Sequence, residues 1–163
     1  SSYKIFDKDN WFYNNTLLEL CQIYSQKFKN MGDRLPTRDK HPYYLDTMWV
    51  NYQKQTEFNP VHDHKGVYSF VIWMKIPTEY DEQKENPISK NTNSSSISNF
   101  CFNYINIIGE NQFYYYEMSK KMEGKMVFFP SKLTHIVYPF YNCSDYRISI
   151  SGNISLDTTR TYE

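Results

Sequence analysis

Arg147-Ile148-Ser149-Ile150-Ser151-Gly152-Asn153 alternates polar and apolar residues. Successive strand side chains point to opposite faces, so Arg147, Ser149, Ser151 and Asn153 share one face. Ile148, Ile150 and, beyond Gly152, Ile154 share the other. In a sandwich with a dry core the polar row would face water. If a helix covers the isoleucine face instead, the polar row turns inward, where an unpaired guanidinium is costly. An anionic ligand relieves that cost, because guanidinium holds a carboxylate through two charge-assisted hydrogen bonds. Ser149, two residues along, can donate another.

Upstream, Gly124-Lys125-Met126-Val127-Phe128-Phe129-Pro130 reads as a glycine turn feeding an apolar strand. His135 opens the next strand five residues after Pro130. Further upstream stand His62-Asp63-His64, where a short strand meets the Lys65-Gly66 turn. Residues i and i+2 of a strand project to one side, so His62 and His64 present two imidazoles to the same point. Imidazole is a common ligand for iron, zinc and copper. For a lone His-x-His the bland alternative is a pair of rim histidines bonded to loops. His135 at a strand end raises the metal reading, since it can close a three-sided site. His41 alone stays outside the set.

The segments MWVNYQ, VYSFVIWMKI, NFCFNYINI, QFYYYEM, KMVFFP, HIVYPF and RISISGNI are short β-branched or aromatic runs between turn residues. With the strand at His62 to His64 they make about eight strands, which predicts a mainly β, double-sheet jelly roll. Asn15 to Asn30 carries Leu17, Leu20, Cys21, Tyr24 and Phe28 at helical spacing, with Asn15 or Thr16 as cap and Met31-Gly32 as stop. This predicts one N-terminal helix packed on one sheet. GDRLPTRDKHPYY reads as a connecting loop, and Thr78 to Asn99, charged and then rich in Ser and Asn, as a mobile loop, either a lid or a surface insertion.

The chain has 163 residues, 40% of them hydrophobic, which suits one domain over 1–163 with its core at about 47–155. Lys plus Arg and Asp plus Glu number 18 each, so no global basic field recruits nucleic acid or an anionic membrane. Three cysteines at wide spacings match neither a disulfide framework nor a zinc ribbon, which favours a reducing cytoplasm. No apolar run approaches the roughly 18 residues of a membrane span, and SSYKIFDKDNWF lacks a signal peptide's apolar centre. The missing initiator Met leaves open that something upstream was removed. Cys101 and Cys143 read as small packed side chains, and Lys120-Lys121 as a solvated turn. Asn51, Tyr52, Tyr68 and Phe70 are candidate pocket-lining residues whose plainer reading is packing.

Together these motifs resemble the iron(II)/2-oxoglutarate-dependent oxygenases, in particular the small prolyl-hydroxylase-like group of bacteria and their phages. The resemblance runs from about Trp49 to Ile154. It implies a cupin-like double-stranded β-helix and a hydroxylase-like dioxygenase of the cytoplasm (the host's, if phage-encoded). Its partners would be 2-oxoglutarate, O2 and a peptide or small-molecule substrate, with succinate and CO2 as coproducts. It further implies that His62, His64 and His135 bind Fe(II), and that the Arg147-Ile148-Ser149 motif, 12 residues after His135, holds the far carboxylate of 2-oxoglutarate. One departure stands out: His64 occupies the position where the family usually carries Asp or Glu. Asp63, its neighbour, should face the other way, so three histidines are the expected ligand set; the alternative is a local bend of the backbone that lets Asp63 bind. The competing readings are a cupin-like metal enzyme that does not use 2-oxoglutarate and a non-enzymatic jelly-roll binding or virion module.

Overall fold

A computed structural model describes residues 1–94 and 96–161. Its strands are β1 (Ser2–Ile5), β2 (Tyr43–Gln53), β3 (Asn59–His62), β4 (Tyr68–Lys75), β5 (Phe100–Ile105), β6 (Asn111–Tyr116), β7 (Met126–Pro130), β8 (His135–Val137) and β9 (Arg147–Leu156). They form two antiparallel sheets, ordered β1-β2-β9-β4-β7 and β3-β8-β5-β6. From β2 onward the chain crosses from one sheet to the other at every step except the β5–β6 hairpin. That winding, two Greek keys closed face to face, is the double-stranded β-helix.

The predicted alternation in β9 decides how the layers stack. Ile150 and Ile154 lie on the outer face of the larger sheet, in a core with Met48, Val67, Tyr68 and Phe70. Leu17 and Cys21 of the N-terminal helix, both fully buried, close over them. Burying a leucine contributes about 1.5–3 kcal/mol, so a few such contacts hold the helix on the sheet. The opposite face of β9 looks between the sheets, toward a second cluster of Val71, Trp73, Phe100, Phe102 and Phe129.

The helical run occupies 11–27, with a π turn at Tyr13–Leu17 followed by α1 (Leu18–Lys27). It therefore starts earlier than the expected Asn15 or Thr16. The start signal is Asp7, whose carboxylate accepts from the Phe12 and Tyr13 N–H groups at 2.9 and 2.8 Å. A carboxylate here satisfies orphan donors and complements the helix dipole. The run stops at Phe28, which is extended, rather than at Asn30.

Three further segments depart from expectation. The predicted loop before Thr47 gives way to strand at Tyr43, whose ring packs on Tyr68. β1, a short alternating SYKI, pairs with β2 and widens the larger sheet. The 78–99 segment is anchored at both ends, while residues 84–94 between them are mostly exposed. It holds α2 (Tyr80–Lys84), where buried Gln83 exchanges two hydrogen bonds with the Tyr141 backbone at 2.9 and 2.8 Å. Ile97, Ser98 and Asn99 are also buried. Among the described residues no helix is long and apolar enough to cross a membrane.

Candidate metal centre and cosubstrate pocket

β3 ends at His62 and β8 begins at His135, and the two are paired across the strands. His64 follows two residues later, in the turn to β4, where its backbone N–H donates to Ser131 O at 2.9 Å. The ring centroids are 4.2 Å apart for His62 and His135, 5.1 Å for His62 and His64, and 5.0 Å for His64 and His135. One ligand nitrogen from each lies within 4.8 Å of the other two.

Two of the rings are oriented by backbone carbonyls. His62 Nδ1 donates to Pro60 O at 2.7 Å, and His135 Nδ1 to Leu133 O at 3.1 Å. Both therefore keep the Nε2 lone pair for a ligand; the Asn59 carboxamide donates to that of His62 at 3.1 Å. Carbonyl partners of this kind fix tautomer and ring direction in metal sites. Burial pushes the His135 pKa down to about 4, with the neighbouring His62 and His64 acting in the same direction. His64 is lowered as well, by burial first and His62 next. His64 and His135 are thereby held in the neutral form that ligates metal.

Asp63 does not join them. Its carboxylate faces Lys132 Nζ, 3.5 Å away on the surface. A strand-like alternation through the turn sends Asp63 outward and His64 inward, where Trp49 packs on the His64 ring at 5.6 Å.

The three rings border a cavity of about 620 Å³ between the sheets, which is ample for a small organic ligand. Trp73, Phe100 and Phe129 form its apolar wall, and Asn51, Ser149 and Ser151 line a polar wall. Arg147 closes its floor. The guanidinium is 3% exposed, donates to Ser98 Oγ at 2.6 Å and Gln53 Oε1 at 3.3 Å, and lies over the Phe140 ring. Its buried Nε has no hydrogen-bond partner, and among the described residues no carboxylate neutralises it. Burial lowers its pKa to about 9, which still leaves it charged at neutral pH. A buried, uncompensated guanidinium facing a cavity fits a carboxylate, as a cluster of three imidazoles fits a divalent transition metal.

The structure thus brings together all five residues singled out in the sequence, His62, His64, His135, Arg147 and Ser149. Of the softer candidates, Asn51 and Tyr52 line the cavity. Tyr68 does not; it packs under the helix, because even-numbered positions of β4 face outward. Phe70 borders the cavity, but its ring packs edge-on against Phe12 of the helical layer. Cys101 is fully buried with its thiol raised to about 11, an inert group, and Cys143 is half-buried. Lys120 and Lys121 are exposed in a short turn, as read. Among the described residues of the expected lid at 78–99, none lines the cavity. Sequence reasoning missed Gln53, Ser98 and Phe140 around the guanidinium. Gln53 was recoverable, since it continues the inward row of Trp49 and Asn51 on β2.

A double-stranded β-helix with a histidine cluster beside a buried cationic pocket can hold a transition metal and, next to it, an anionic ligand. The chain belongs to the family described as "Putative 2OG-Fe(II) oxygenase", whose model matches residues 47–153. The cofactors of that family are Fe(II) and 2-oxoglutarate. Among solved structures, the chain is similar to an oxidoreductase of the 2OG-Fe(II) oxygenase family from Burkholderia pseudomallei, with 13% identity and a TM-score of 0.48. The match covers 84% of this chain and spans 56% of the length of that one. No curated protein matches the sequence.

Proposed function

We propose that this protein is an Fe(II)- and 2-oxoglutarate-dependent dioxygenase that hydroxylates a peptide or small molecule. His62, His64 and His135 hold the metal through imidazole nitrogens. Arg147 grips the far carboxylate of 2-oxoglutarate bidentately, and Ser149 donates a further hydrogen bond. Bound iron and 2-oxoglutarate supply an oxidative decarboxylation in which one atom of O2 enters succinate, CO2 leaves, and the other atom enters a substrate C–H bond. The protein supplies geometry: carbonyls of Pro60 and Leu133 aim two ligands, and Trp73, Phe100 and Phe129 exclude water from one wall.

The observation that carries this reading is the uncompensated Arg147 guanidinium at the floor of the same cavity that the three histidines border. It calls for an anion, which the far carboxylate of 2-oxoglutarate supplies; in a metal enzyme that used no keto acid, the substrate's own carboxylate would have to take that place. The test is anaerobic addition of Fe(II) with and without 2-oxoglutarate. A visible charge-transfer band that needs both components is expected. Its absence from the folded wild-type protein overturns the assignment.

A further inference from the structure

Between β7 and β8 the turn of residues 131–134 touches both inner ligands. Ser131 O accepts the His64 backbone N–H, and Leu133 O accepts His135 Nδ1. Backbone bonds hold the turn at both ends, Ser131 N–H to Val67 O and Asn103 N–H to Thr134 O, each at 2.9 Å, and a buried chain of polar side chains holds it from within. The Ser69 and Ser131 hydroxyls are 2.9 Å apart, and Ser69 Oγ donates to Asn153 Oδ1 at 2.8 Å. Asn153 Nδ2 in turn donates to Thr47 Oγ1 at 3.2 Å. A serine hydroxyl has one hydrogen, and that of Ser69 is committed to Asn153, so Ser131 must be the donor to Ser69. The chain therefore runs in one direction, from Ser131 through Ser69 and Asn153 to Thr47, tying the turn to β4, β9 and β2 in succession. Ser69 is 1% exposed and Ser131 fully buried, so no solvent can replace a missing partner.

We infer that Ser69 is a positioning residue for the metal ligands: it anchors Ser131, and through it the turn that sets His64 and His135. This rests on the reading of the three histidines as the metal site. Without the Ser69 hydroxyl, Ser131 loses its acceptor and Asn153 its donor inside the barrel. The turn then has a reason to shift toward solvent, carrying with it both carbonyls that hold the ligands. Thr47 at the far end of the chain is the internal control. Its loss strands one amide donor but leaves the Ser131 to Ser69 bond in place.

The experiment is anaerobic titration with Fe(II), and separately with Co(II) read by its ligand-field bands, on the wild type, Ser69→Ala, Ser131→Ala and Thr47→Ala, each beside the melting temperature of the metal-free protein. Ser69→Ala and Ser131→Ala are expected to weaken metal binding roughly ten- to hundredfold and to alter the Co(II) bands, the size typical of lost ligand-orienting contacts. Thr47→Ala is expected to lower the melting temperature while keeping affinity and bands. If Ser69→Ala does not fold, Ser131→Ala decides. Wild-type affinity and bands in the folded serine variants overturn the inference, as does a loss of affinity in all three that follows their loss of stability. A wild type that binds neither metal removes the histidine site itself, a different failure.

Discussion

His62 and His135 face one another across the β3–β8 pair with ring centroids 4.2 Å apart, although 73 positions separate them in the chain. Strand pairing alone brings them to this distance, and both rings are aimed by backbone carbonyls. His64 completes the group from the adjoining turn. One equivalent of Fe(II) is expected to bind. His135→Ala should reduce binding severely, and metal should raise the melting temperature of the wild type by mass action. Retention of normal iron affinity by the His135→Ala variant would exclude this site.

Asp63 and His64 should separate sharply under substitution. The carboxylate of Asp63 is turned to Lys132, whereas the His64 ring sits in the cluster. His64→Ala should abolish iron retention, and Asp63→Ala should leave most of it, since exposed ion pairs contribute only about 0–1 kcal/mol. Equilibrium dialysis against Fe(II) measures both. The opposite ranking would assign the third ligand to Asp63. His64→Asp, which restores the family's usual ligand type, should keep iron.

Arg147→Lys should weaken 2-oxoglutarate binding while leaving iron binding nearly intact, because one ammonium cannot reproduce a bidentate grip. Ser149→Ala should act the same way, more mildly. A lost hydrogen bond to a charged group costs about 1.5–3 kcal/mol, or roughly ten- to hundredfold in affinity. The charge-transfer band titrated with 2-oxoglutarate gives the number. Unchanged affinity in both Arg147→Lys and Arg147→Ala would sink the cosubstrate assignment even if the metal site stood.

The metal-free protein should lose stability as the pH falls from about 6.5 to about 4. Burial lowers the folded-state pKa of His135 to about 4 from the 6.5 ordinary for histidine, so the unfolded chain binds the proton first. Stability is then fully present above the unfolded pKa and drains as pH descends toward the folded one, by up to about 3 kcal/mol for this shift. His64, lowered for the same reason, adds in the same direction. Urea unfolding at pH 7 and pH 4.5 should show the drop, and His135→Ala should flatten it. An equal pH slope in that variant would place the effect elsewhere.

Gly152→Ala tests how tightly the helical layer sits on β9. A Cβ there would lie 2.7 Å from the Phe70 ring and 2.7 Å from Thr47 O. The ring is fully buried and the carbonyl is backbone, so neither yields easily. A loss of about 1–3 kcal/mol is expected from overpacking, read as a lower urea midpoint. Unchanged stability would mean that the Phe70 ring can move.

Much of this protein is legible in one dimension because its determinants are periodic. The alternation of Arg147, Ser149 and Ser151 against Ile148 and Ile150 needs only the pleat of a strand to sort polar from apolar. The same rule separates His64 from Asp63. The short aromatic and β-branched runs likewise reveal strands, because turn residues bound them. What the tertiary structure alone decided are contacts between segments distant in the chain. Asp7 caps a helix whose own first turn offers apparent caps, because the chain folds back there. Ser98, inside a stretch whose composition reads as loose, is buried against Arg147 because the segment leading into β5 crosses the start of β9, where the guanidinium donates to its hydroxyl. The hydroxyls of Ser69 and Ser131 meet because β4 and β7 are neighbours in the larger sheet. Local pattern reports which way a side chain points; only the pairing of strands determines what it meets there.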